Sequence, residues 1–389
     1  MNDASPATTL DTHRLRIIAF FILAFAAGGV VQPFLNLYLV EVGFSGAQVG
    51  VLLGYTSFAI VIVTPLLGWL ADRTQRHRLL LGIIVAIKGL SVPAMLLSTG
   101  WVWLALTVSV RMMTAGAQDA LMNRLTMAHL KERGQTNFGS IRLWGALSFA
   151  ATSLLAGWLA RDQSVSVLFP LSGILGLLAA LCVTGFPTRI AARSESAAPQ
   201  PALRRSSALL TLFMLIFFLT LGRSGYETFS NIYISTTLGA SNTWIGLLGA
   251  IASLTPVFAF ALADTILCRF GKINTLLLGS ALSALAFLLL AFAPSPLWTV
   301  PAVICNGAAG AFYLVGLVNL LSQLGNPAQA ATDQMLAQLT LPGLAGMVAQ
   351  PVSGWVFDAY GGQTMLILGA AITALCVLFV VFKHDVIAP

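Results

Sequence analysis

The chain has 389 residues, of which 58% are hydrophobic and 8% charged, with a formal net charge of +7. A soluble domain carries about a quarter of its residues as Asp, Glu, Lys and Arg, so a soluble fold is excluded. The basic excess is spread over short loops instead of being gathered on one face, which argues against a nucleic-acid partner.

Apolar runs of about 20 residues, the length a helix needs to cross roughly 30 Å of hydrocarbon, follow one another along the whole chain. They predict twelve spans: 16–40, 46–71, 78–98, 101–126, 138–161, 166–186, 207–236, 243–267, 273–293, 296–321, 332–357 and 362–382. The first, Ile17 to Val40, exceeds a cleavable signal core and reads as an uncleaved helix. An even number of spans puts both termini on one side. Nearly all loop Lys and Arg fall on that side and Arg161 alone falls opposite, so the positive-inside rule makes the termini cytoplasmic. The expected fold is all-α and multi-pass, in the cell inner membrane, and monomeric.

Cys182, Cys268, Cys305 and Cys376 are scattered without CxxC spacing and support neither a metal site nor a disulfide framework. No phosphate loop and no nucleophile paired with a base is visible, so neither an enzyme nor a cofactor is expected.

The polar stretch from Pro187, rich in Ser, Ala, Pro and Arg, reads as a cytoplasmic linker over 187–206 between six-helix bundles at 1–186 and 207–389. The halves repeat in register. Asn36-Leu-Tyr38 recurs as Asn231-Ile-Tyr233, and the Ser45 to Gly50 spacing as Ser241 to Gly246. Thr64-Pro65 recurs as Thr255-Pro256, Ala71-Asp72 as Ala263-Asp264, Ala115-Gly-Ala117 as Ala309-Gly-Ala311, and Gly157-Trp158 as Gly354-Trp355, all at offsets between 191 and 197. Two parallel repeats are the architecture of a rocking secondary transporter with its substrate near midplane.

The loop after the second span reads Gly68-Trp-Leu-Ala-Asp72-Arg73-Thr-Gln-Arg76-His-Arg78 and resembles the G-x-L-x-D-R-x-x-R-x-R signature of the major facilitator superfamily. A decayed copy, Asp264 with Arg269, Gly271 and Lys272, stands at the equivalent place in the second half. The resemblance implies a conformational gate in which Asp72 accepts from basic residues of its own loop and faces a helix N-terminus of the other half. Read without it, the basic residues are topology determinants only.

Gln32-Pro33-Phe34 with Tyr38, Phe138-Gly-Ser-Ile-Arg142-Leu-Trp144-Gly145, Tyr226-x-x-Phe229-Ser-x-Ile-Tyr233 and Asp119-Ala-Leu-x-Asn123 resemble the branch holding the phenylpropionate, nucleoside–proton and lactose permeases. By that resemblance Arg142 points into the cavity and binds substrate, and Phe149 takes the place of an aromatic that stacks on sugar. The chain departs from the branch as well. All four histidines lie in cytoplasmic positions, the tenth span offers only Asn306, Tyr313 and Asn319, and the Glu of the eighth span and the GPxxGG pattern of drug antiporters are missing.

Charges at midplane cost several kcal/mol unless they face a wet cavity or a partner, and six qualify: Lys88, Arg111, Asp119, Arg142, Arg223 and Glu227. Arg223 and Glu227, four apart, share one helix face and can pair, as a structural ion pair or as part of a site. Glu227 is the repeat equivalent of Gln32. Asp119 reads either as a proton-coupling group beside Arg142 or as a structural partner of Arg142 or Arg124. Lys88 is too deep to snorkel, so either it meets a carboxylate from a neighbour or the register of the third span is wrong. Trp144 and Tyr226 stand beside these charges as stacking candidates or as core. Asp358 is read as a helix terminus.

The expected function is proton-coupled symport of a small organic solute, an aromatic or organic acid being preferred to a sugar or nucleoside. Arg142, Gln32, Asn123, Trp144, Phe149, Tyr226, Arg111, Arg223 and Tyr313 would bind substrate, and Asp119 and Glu227 would carry the proton. Efflux of drugs or lipid-like molecules by proton antiport is the alternative. A sensor that kept the fold and lost transport is disfavoured by the retained gate motifs.

Overall fold

The structure is a computed structural model that describes residues 12–133, 138–187, 207–326 and 329–382. The predicted linker lies outside them beyond Pro187. The described residues are helical, with no strand among them: α1 (Thr12–Val31), α2 (Leu35–Glu41), α3 (Gly46–Thr74), α4 (His77–Ala94), α5 (Trp101–Glu132), α6 (Phe138–Leu159), α7 (Leu168–Cys182), α8 (Ser207–Thr236), α9 (Asn242–Ala291), α10 (Thr299–Leu324), α11 (Ala330–Met335) and α12 (Leu341–Phe382). Hydrocarbon cannot hydrogen-bond a backbone, so a spanning segment must satisfy its own peptide groups. Polar side chains inside these helices do the same locally: Thr107, Ser109, Thr114, Thr126 and Ser280 each donate to a carbonyl one turn back.

Eight described stretches are long and apolar enough to cross a membrane: Thr12–Glu41, Gly46–Thr74, His77–Leu97, Val165–Gly185, Ser207–Thr236, Asn242–Ala291, Pro296–Leu324 and Thr332–Phe382. The sixth and eighth are double length. Each breaks at a glycine with positive φ, Gly271 (φ 80°) and Gly361 (φ 84°), a conformation that costs a residue without Cβ little. Both breaks fall in the gaps between predicted spans. α5 and α6, of 32 and 22 residues, are long as well but carry Arg111, Asp119, Arg124 and Arg142.

The outer faces are apolar. On α4, Leu79, Ile83, Ile87 and Leu90 repeat at helical spacing and are all about half exposed, and Leu368, Ile372, Leu375 and Phe379 do so on α12. In water such stripes would be a liability; in lipid they are the required surface.

By contacts the chain forms two compact units. The first contains the residues up to Val30, Val63–Thr152 and those from Phe169 to the end of the first half; the second contains Val31–Ile62, Ser153–Leu168 and the second half. The core of the first gathers Phe20, Phe21, Ile84, Leu121, Leu125, Ile141 and Phe186. That of the second is built from Leu212, Ile216, Leu219, Leu276, Leu317 and Leu320.

Inside the second unit, α3 runs against α12 and the end of α6 against the start of α9 at glycines. A Cβ on Gly50 would meet Gln350 and Pro351 backbone at 3.0 and 3.1 Å, and one on Gly246 would meet Gly157 Cα at 2.9 Å and the Ser153 carbonyl. Gly50 and Gly246 are repeat equivalents, as are residues 350 and 153 within the offsets of the repeat. The close approach is therefore pseudo-symmetric, which links the sequence repeat to packing.

Candidate functional site

In the first unit the charges gather on α4, α5 and α6. Lys88 turns inward from α4 and its Nζ donates to Gln118 Oε1 on α5 at 3.2 Å. The helix register holds, and the partner is an amide instead of the expected carboxylate. Asp119, the next residue, is exposed and lies within electrostatic reach of both Lys88 and Arg142, without an ion pair of 4 Å or less among the described residues. Arg142 is exposed near the start of α6, and Trp144 shows half its surface beside it. One turn beyond Asp119, Asn123 Oδ1 is buried without a donor among the described residues, an acceptor left open for a ligand or water. Phe149 packs over Gly28 of α1. Arg111 is only 2% exposed and touches Met112 in the interior, so it lines no accessible face.

In the second unit, Arg223 and Glu227 of α8 form the anticipated i, i+4 pair at 3.3 Å. The Arg223 guanidinium lies over the Tyr313 ring at 5.4 Å. All three border a cavity of about 250 Å³ with Thr220, Gln338 and Pro342. Tyr226 does not: it is buried and stacks on Phe287 with ring centroids 4.8 Å apart. Gln32 is exposed in the break between α1 and α2, where Pro33 supplies no amide hydrogen to continue the helix.

Gln338 and Thr220 were not singled out from sequence. Gln338 sits on a single π turn, Leu336–Thr340, between α11 and α12, a distortion frequent at functional sites. Its legible signal was an amide in an apolar run just before Pro342-Gly343. Gln118, the partner of Lys88, was missed for the same reason: an uncharged amide beside a carboxylate draws less notice.

At the gate motif one partner of Asp72 comes from its own loop, as expected, and one from another helix. Asp72 Oδ1 accepts from Arg124 of α5, in a short contact, and pairs with His77 Nε2 at 3.0 Å. Arg73 lies over the Trp69 ring instead. Gln75, at φ 55°, folds its side chain back onto the Asp72 carbonyl, so the loop ends in a tight turn before Arg76, His77 and Arg78. Arg124 therefore belongs to Asp72, not to Asp119. In the second copy Asp264 is exposed with no ion pair among the described residues, Arg269 lies over Phe270, and Gly271 makes the turn before Lys272. Gly68 has open space around its Cα. The Asp72–Arg124 pair is about half exposed, and such pairs are worth about 0.2–1 kcal/mol. Arg124→Gln is therefore expected to leave the thermal midpoint nearly unchanged while altering turnover severalfold, read by melting the purified protein and by initial rates of solute exchange.

These elements coincide with one family. The family model described as "MFS_1 like family" matches residues 14–383. The chain belongs to that family, within the major facilitator superfamily, and is a membrane transporter. It is 32% identical over 289 residues to "Maltose permease" of Geobacillus stearothermophilus, covering 72% of this chain and 71% of that one. It is 24% identical to "Multidrug resistance protein MdtG" of Dickeya zeae over 82% of both chains. Among solved structures, a variant of the nucleoside transporter NupG matches with a TM-score of 0.86 at 19% identity, over 95% of this chain and 99% of that one, which is a likeness of fold.

Proposed function

We propose that the protein is a proton-coupled symporter of a small hydroxyl-bearing organic solute. Dividing the two double-length helices at Gly271 and Gly361 and adding α5 and α6 gives twelve spans. These form six-helix halves at 1–186 and 207–389 with cytoplasmic termini, in a monomer of the cell inner membrane. The halves rock about the substrate, so that the site opens to one side at a time.

The observation that carries this reading is the lined cavity of the second unit. A guanidinium and a carboxylate paired at 3.3 Å share it with a phenol, an amide and a threonine. The pair is net neutral, and its free donors and acceptors suit hydroxyl groups, with the Tyr313 ring available for stacking. This moves the preference from the organic acid expected from sequence to a sugar or nucleoside, in keeping with the relative named as a maltose permease and the fold neighbour named as a nucleoside transporter. In the first unit, taken by itself, Arg142, Asn123 and Trp144 are the residues proposed to bind solute. Protonation of Glu227 frees Arg223 for substrate, and protonation of Asp119 removes its electrostatic pull on Arg142; either couples proton to solute.

Efflux of lipophilic compounds is the second reading. It is favoured by the MdtG relative and by an apolar cavity of about 270 Å³ lined by Leu221, Val348, Val352, Met365 and Ile372. Counterflow separates the two. Proteoliposomes loaded with unlabelled maltose, uridine or 3-phenylpropionate are expected to accumulate the labelled form of maltose or uridine transiently. Counterflow with none of these, together with export of ethidium, would replace the symport reading by the efflux one.

A further inference from the structure

Two asparagines that no part of the substrate reading uses make the same bond in opposite directions. Asn36 of α2 donates from Nδ2 to the Thr228 carbonyl of α8 at 2.8 Å, and Asn231 of α8 donates from Nδ2 to the Pro33 carbonyl at 2.9 Å. Both donors, and both acceptors, are related by one displacement of 195 residues, so each asparagine grips the backbone at the position equivalent to the other's own acceptor. The bonds lie inside one compact unit. Each carbonyl has a second lone pair to offer beyond any helical bond, and both asparagines are half-buried, where an amide without a partner is costly. They follow Gln32 and Glu227 by four residues: on α8 this is one helical turn on the same face, and Asn36 stands just past the break that holds Gln32, toward the ends of the first and seventh spans remote from the cytoplasmic loops.

We propose that Asn36 and Asn231 form a reciprocal clasp that closes the seam between the first and seventh spans directly above the substrate positions, and that both bonds break each time the transporter opens outward. The proposal rests on the alternating-access reading. Because the two bonds join the first half to the second, opening severs them together, and reciprocity makes the closed seam a single well-defined register. Both asparagines are positioning residues: they set how often the site faces outward, with no contact to solute required.

An independent reporter lies on a second contact between the halves, within the same compact unit. The Asp358 carboxylate at the end of the eleventh span accepts from the amides of Gly46 and Ala47 at 2.8 Å each, holding the start of α3. This is more than the helix terminus read from sequence, since the carboxylate caps a helix of the other half. In this proposal these amides, held by Asp358, exchange faster when the halves part here.

The test is amide hydrogen exchange by mass spectrometry on the purified full chain in lipid nanodiscs. It compares the native protein with Asn36→Ala, Asn231→Ala and the isosteric Asn36→Asp and Asn231→Asp, whose ionised oxygens cannot donate. Each substitution is expected to raise exchange at Gly46 and Ala47 by about threefold to tenfold, the factor one net hydrogen bond supports, and to lower it in the 74–78 loop as the inner side closes. Unchanged exchange at Gly46 and Ala47 in the folded variants would overturn the clasp, as would a rise at both ends, which marks loosening of the fold. A rise at the outer amides with exchange in the 74–78 loop unchanged would instead overturn the alternating-access reading beneath it.

Discussion

Arg142→Ala lowers solute affinity by about a hundredfold, the loss expected when a charge-assisted fork of donors to a bound solute is removed, while the protein remains folded. The expectation follows from where Arg142 sits. It is exposed near the start of the apolar helix α6, with Asp119 within electrostatic reach but no ion pair of 4 Å or less to it among the described residues. A guanidinium held for structure alone would be locked in a buried pair, and no such pair is found for Arg142 among the described residues. Arg142→Lys keeps the charge and loses the planar fork, so it is expected to bind only slightly better than the alanine variant. Equilibrium binding of the counterflow substrate to detergent-purified variants, beside their melting curves, checks this. Native affinity in either variant removes Arg142 from the site.

Glu227→Gln and Asp119→Asn separate coupling from binding. Asp119 of α5 and Glu227 of α8 are both exposed, so each can exchange a proton without unfolding its surroundings. Glu227→Gln keeps an oxygen near Arg223 and removes the charge that Arg223 answers at 3.3 Å. The guanidinium, still over the Tyr313 ring, is then permanently available to solute, as it is in the native protein only after protonation. At least one of the two variants is expected to exchange labelled for unlabelled solute at near-native rates and to fail to concentrate it against a gradient when an inward proton gradient is imposed. If both still concentrate solute, neither carboxylate carries the coupled proton.

Much of the architecture was legible because the membrane leaves few solutions. Length and apolarity fixed the helical class, and the in-register pairs such as Asn36 with Asn231 predicted a repeat that reappears in the Gly50 and Gly246 contacts. The Arg223–Glu227 pair was legible since four residues on a helix is a spatial distance. What was illegible depends on partners distant in the chain. Asp72 was expected to draw on its own loop; it does so through His77 but also takes Arg124 from α5, 52 residues away. Tyr226 lies beside the site in sequence, yet Phe287 from the ninth span claims its ring. Lys88 meets an amide on α5 that no pattern of charges announces. The π turn that carries Gln338 into the cavity arises from local backbone geometry without a compositional signature.

In symport, solute and proton move together in one direction. The decisive measurement is the internal pH of proteoliposomes, followed with a trapped dye while the counterflow substrate is added outside without any initial gradient. The lumen is expected to acidify, an effect that a protonophore abolishes and that Glu227→Gln or Asp119→Asn diminishes. Alkalinisation on addition of the same solute, or uptake without any pH change, would contradict it.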